Sequence, residues 1–158
     1  MDTISYNKSI ELLHDVSSAH GFLASAENTS NYKRVWARDG VICGLAALAS
    51  EDEKLIQTFR ITLETLANNQ HKIGTIPSNV LINEETIEVS YGGLAGRVDA
   101  VTWFIIGICQ YTFHTKDNSL TVKYEEVIEK AIQLLDAWEF SNKHLIYVLF
   151  RYCLAAIG

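Results

Sequence analysis

Apolar side chains recur at three- and four-residue intervals along most of the chain, and this spacing predicts five or six helices. Residues 3 to 18 carry Ile4, Ile10, Leu12, Leu13 and Val16. An almost unbroken Ala- and Leu-rich run follows Gly40 and predicts a helix from about Asp39 to Ala49. The turn Ser50-Glu51-Asp52-Glu53 offers Ser50 as a cap with Glu53 three residues on, and the helix it opens runs to about Asn69. Its apolar face, Leu55, Ile56, Phe59, Leu63, Leu66 and Ala67, is a single stripe. Helix resumes at Asp99 with Val101, Phe104, Ile105 and Ile108 and ends near Lys116-Asp117-Asn118. The clearest pattern comes next, from Leu120 through Tyr124, Val127, Ala131 and Leu135 to Trp138, with Lys123, Glu126, Glu129 and Lys130 outward, stopping near Phe140. His144 to Gly158 is apolar and aromatic and predicts a further helix.

The pattern breaks between residues 70 and 98. This stretch holds the single proline, Pro77, and four of the nine glycines, Gly74, Gly92, Gly93 and Gly96. Val80-Leu81-Ile82 and Ile87-Glu88-Val89 predict short strands around Asn83-Glu84-Glu85, a small hairpin. A loop of this length inside a domain is a place to look for function. Short turns on one side and one long elaborated loop on the other give stacked antiparallel helical hairpins, an all-α fold with a ligand face on the longer loops.

Composition narrows the class. With 158 residues, 48% hydrophobic and 20% charged, the chain predicts one soluble globular domain with a real core. A net charge of −6 without a basic block argues against nucleic acid and anionic membrane as partners. Cys43, Cys109 and Cys153 are an odd, widely spaced set, expected as buried thiols in a reducing compartment. His14, His20, His71, His114 and His144 are scattered, and no ligand spacing points to zinc; no metal or cofactor is expected. Met1 to Ser5 shows no signal peptide, and no run of 18 apolar residues exists, so a cytoplasmic location is expected.

The candidate chemistry concentrates in Tyr32-Lys33-Arg34-Val35-Trp36-Ala37-Arg38-Asp39-Gly40, which sets two aromatics, three cations and a carboxylate at the mouth of an apolar run. Asp39 near a helix N-terminus also reads as a plain capping acid, with Arg38 as its surface partner. Trp36 beside Arg38 and Asp39 suits a sugar: the indole takes the ring face, and the charged groups take hydroxyls.

Together with Gln70-His71-Lys72-Ile73-Gly74-Thr75-Ile76-Pro77-Ser78-Asn79-Val80, and with Ser90-Tyr91-Gly92-Gly93-Leu94-Ala95-Gly96-Arg97-Val98-Asp99-Ala100 followed by Trp103-Phe104, this stretch resembles the six-hairpin glycosidases. The chain is most similar to the amylo-α-1,6-glucosidase, or glycogen-debranching, group, with glucoamylases and neutral invertases more distant. The resemblance runs from about Gly21 to about Val148. It implies an (α/α)6 toroid, here as a partial one, whose pit holds an α-glucan or oligosaccharide end. It implies substrate-binding roles for Trp36, Arg38, Asp39, Tyr91, Arg97, Asp99 and Trp103.

A complete toroid needs about twelve helices, more than this chain supplies. The resemblance therefore implies a single domain, residues 1 to 158, forming the N-terminal part of the catalytic domain. Residues 143 to 158 are atypical, apolar where a carboxylate-bearing loop is expected, as in a truncated or frameshifted tail. Inverting hydrolysis needs an acid and a base about 6.5–9.5 Å apart, and no catalytic pair emerges. Asp39 and Asp99, beside arginines, suit hydroxyl binding better than general acid work. The chain alone is expected to be inactive and to self-associate through exposed apolar faces. Three readings stand side by side: a glucosidase of α-glucan branch points, a carbohydrate-binding fragment, and a helical domain whose polar clusters only cap helices. A neutral-invertase-like sucrose hydrolase is the alternative among enzymes.

Overall fold

Residues 3–27, 32–92 and 98–142 are described by a computed structural model of the chain. The expected further helix at 144–158 and the site candidate Arg97 lie outside them. The elements run α1 (Thr3–Asp15), β1 (Ser17–Ser18), β2 (Gly21–Phe22), β3 (Val35–Trp36), α2 (Ala37–Ser50), α3 (Glu53–Asn68), β4 (Asn79–Ile82), β5 (Ile87–Ser90), α4 (Val98–Thr115), α5 (Ser119–Lys123) and α6 (Glu125–Asn142). The fold is mostly helical, as the periodicity predicts, with two small antiparallel sheets added. One pairs β1 with β2, and the other has the order β3-β4-β5. The all-α expectation is corrected to that extent.

The β4–β5 hairpin lies where Val80-Leu81-Ile82 and Ile87-Glu88-Val89 place it, with Val80 opposite Val89 and Ile82 opposite Ile87. Its third strand was not expected. Val35 pairs with Val80 and Trp36 with Asn79, because a β-branched residue and an aromatic suit a half-covered pleat. That pairing moves the start of α2 to Ala37, whose N–H donates to the Ser78 carbonyl at 3.0 Å. Asp39 is therefore the third residue of the helix, not its cap. At the next turn the cap is Asp52 rather than Ser50: its Oδ1 accepts from the N–H groups of Lys54 (2.9 Å) and Leu55 (3.1 Å). The long helix expected from Leu120 is broken at Tyr124, the residue between α5 and α6.

α2, α3 and α4 enclose the core through Val41 and Leu48, Phe59 and Leu63, and Phe104 and Ile108, all buried. The helices approach closely at glycine. A Cβ on Gly44 would overlap the Phe59 ring, and one on Gly107 would meet Leu63 at 2.7 Å and Val41 at 3.0 Å. α5 and α6 cover the far side with Leu120, Ala131 and Leu135. The loop after α3 is held down by α6. Gln70 Nε2 donates to the Val127 carbonyl at 2.8 Å and to the Gly74 carbonyl at 3.1 Å. Gly74 has φ +96°, and a Cβ there would run into the Lys130 carbonyl. α1 buries no side chain fully. It leans on the core through Ile10 and Leu13, and its His14 Nε2 lies 3.0 Å from Asp52 Oδ2.

Candidate functional site

α3 reverses the chain, and the long loop then delivers α4 so that its N-terminus meets that of α2. Arg38 and Asp99 are each the second residue of their helices, and Arg38 Nη1 lies 3.9 Å from Asp99 Oδ2. Their side chains are 54% and 44% exposed. A pair so loosely held and so wet gives up its partner to a ligand at little cost. The two sequence clusters, 32–40 and 90–100, are thus joined by a contact across helices. The motif's neighbours Arg38 and Asp39 are not each other's ion-pair partners.

Trp36, Ala37, Arg38, Asp39, Ser78, Asp99 and Ala100 line one small cleft of about 20 Å³. The ingredients are an indole, a guanidinium and two carboxylates at two helix starts. Asp39 also borders a second, larger and mostly apolar groove between α1, residues 23–27 and α2. Cys43 lies one turn beyond it in that groove, a free thiol pushed up by burial and by the Asp39 carboxylate.

Tyr91 and Trp103 stand back from this cleft. Tyr91 donates from its hydroxyl to the Asn69 carbonyl at 2.8 Å and sets its ring edge on His71, 5.2 Å between centroids. Burial raises its pKa. It braces the long loop against the end of α3. Trp103 is one turn along α4 from Asp99, half-buried, and packs against the core. Neither lines the cleft. Of the motif's other cations, Arg34 is a staple. Its Nη1 donates to Asn79 Oδ1 at 3.3 Å and its Nη2 to Glu88 Oε2 at 2.7 Å, binding β3 to β4 and β5. Tyr32 stacks on Trp36, centroids 6.4 Å apart and planes at 28°.

Ser78 is the lining residue that residue-type reasoning misses. Its contribution is backbone, a carbonyl that receives the Ala37 N–H, while its own N–H and hydroxyl both donate to the Ser90 carbonyl at 2.8 and 2.9 Å. The signal available was its position directly after Pro77. Among the described residues no group of three or more His, Cys, Asp or Glu could hold a metal ion. No helix of these residues is long and apolar enough to cross a membrane.

The starts of α2 and α4 thus bring an aromatic, an arginine and two aspartates to one cleft. The family model described as alkaline and neutral invertase matches residues 6–149. The chain belongs to that family, a glycosidase family of the six-hairpin superfamily. A search of curated proteins found no match.

Proposed function

We propose that the chain supplies the sugar-holding part of a glycosidase site whose substrate is a small glucoside, sucrose first. The observation that carries this reading is the Arg38–Asp99 pair joining two helix starts in one cleft with Trp36 and Asp39, in a chain of the invertase family. In this reading Trp36 meets the apolar face of one sugar ring. Arg38 donates to ring hydroxyls, and Asp39 and Asp99 accept from them. Tyr91 and Trp103 serve the same site from behind, Tyr91 by holding the loop, and Arg97 is proposed as a further donor to hydroxyls. The role of these residues in this reading is to hold the sugar, and none of them is assigned as the acid or base of inverting hydrolysis. The setting is cytoplasmic, in keeping with a free thiol at Cys43.

Calorimetric titration of the chain with sucrose, isomaltose and maltotriose tests this. Sucrose binding that Asp39→Asn weakens at least tenfold is expected, because a charge-assisted hydrogen bond contributes about 1.5–3 kcal/mol. Equal affinity in wild type and Asp39→Asn would take Asp39 out of the site. A second reading, an α-1,6-glucosidase acting on α-glucan branch points, is favoured by the stretch Gly92-Gly93-Leu94-Ala95-Gly96-Arg97-Val98-Asp99. Preference for isomaltose over sucrose would select it.

A further inference from the structure

Three elements meet on Thr62, in the middle of α3, where the side chain is wholly buried at 0% exposure. Its hydroxyl donates to the Thr58 carbonyl at 2.9 Å and accepts the N–H of Phe22 at 2.9 Å, which ties β2 to α3. Gly21, at φ +114°, passes so close that a Cβ there would meet Thr62 Oγ1 at 2.5 Å. The γ-methyl of Thr62 meets α2 instead: a Cβ on Gly40 would lie 2.8 Å from it. Gly40 directly follows Asp39. The backbone at the start of α2 is held from the sheet side by the Ala37–Ser78 bond and the Trp36–Asn79 pairing. In that first turn, Gly40 is the residue that the Thr62 methyl meets.

We propose that Thr62 is a positioning residue for the sugar site. Its methyl seats the Arg38–Asp39 turn, and its hydroxyl fixes the strand beside it. The inference rests on the reading of the cleft as a sugar site. Interiors pack densely enough that loss of one methyl group is felt by its neighbours, and a ligand held by directed hydrogen bonds is sensitive to small misplacement of its donors and acceptors.

The two functions of Thr62 separate in two substitutions of the full chain. Thr62→Ser keeps the hydroxyl and removes the methyl. Thr62→Val keeps the methyl and removes the hydroxyl. Three quantities are read: amide hydrogen exchange at single residues by NMR, sucrose affinity by calorimetry, and Tm. Thr62→Ser is expected to speed exchange at Ala37, bonded to the Ser78 carbonyl, and at Gly40 severalfold and to weaken sucrose binding at least fivefold, with a small change in Tm. Thr62→Val is expected to speed exchange at Phe22 and lower Tm more than Thr62→Ser does, with the smaller loss of affinity. Wild-type exchange at Ala37 and Gly40 in Thr62→Ser overturns the positioning role. Losses of affinity that simply follow Tm in both variants overturn it as well. Faster exchange in Thr62→Ser with unchanged sucrose affinity overturns the sugar-site reading instead, and Thr62's part in it.

Discussion

The two carboxylate oxygens of Asp52 act on different helices. Oδ1 caps α3 through the Lys54 and Leu55 N–H groups, and Oδ2 reaches His14 on α1. The Leu55 N–H, with His14 and the Lys54 N–H adding to it, holds this carboxyl below its usual range. A depressed carboxylate pKa means stability that is present above the unfolded value, about 3.9, and lost as pH falls through the folded value. Thermal unfolding between pH 3 and pH 7 checks this. Asp52→Asn retains the capping oxygen but not the charge, so it should flatten the acid limb while changing Tm at neutral pH little. Asp52→Ala should flatten the same limb and also lower Tm at neutral pH by a few degrees. If Asp52→Asn keeps the wild-type acid limb, the charge plays no part. At the same scale, Arg38→Gln should weaken sucrose binding, and the wild-type affinity should fall little with added salt. The ligand is neutral, and the Arg38–Asp99 pair it displaces is already screened.

α2 and α3 pack tightly where Gly44 faces Phe59. Gly44→Ala places a methyl group in the Phe59 ring, and overpacking of that kind costs about 1–3 kcal/mol. Phe59→Ala leaves a cavity at a fully buried position, at about 3–5 kcal/mol. Urea unfolding of both and of the double variant should give a strong coupling term: the added methyl occupies space the ring vacates, so the double variant loses less than the two losses added. Additive losses would mean that the helices slide apart to admit the methyl. α3 is the element most legible in the sequence, since one of its faces is apolar and the other wet. α2 and α4 are apolar nearly all round, so Ala, Leu and Ile content reveals them better than period does. β1, β2 and β3 have two residues each, too few for alternation to register. The pairing of Val35 with Val80 joins segments 45 residues apart, which no local pattern can report. The break at Tyr124 is invisible to periodicity because apolar positions continue on both sides of it.

For the molecule as a whole, Leu12 on α1 and Ile42 on α2 remain 56% and 47% exposed beside one apolar groove. Contiguous apolar surface of this kind favours association. Sedimentation velocity should show larger species as concentration rises, and Leu12→Lys with Ile42→Lys should suppress them; a wild-type monomer throughout would refute this. The site's legibility is uneven for a physical reason. Trp36, Arg38, Asp39 and Asp99 meet in the cleft because charged side chains at loop-to-helix junctions advertise themselves, whereas Ser78 contributes a carbonyl that every residue type possesses. Tyr91 and Trp103, nominated through resemblance, have side chains engaged with Asn69, His71 and the core. The bond from Gln70 to Val127 has a consequence in time. The loop beside the cleft is anchored to a carbonyl 57 residues further along the chain. At about 5–20 residues per second of synthesis, that partner is made roughly 3–11 s after the loop itself. For those seconds the loop has been made and the carbonyl that clamps it has not.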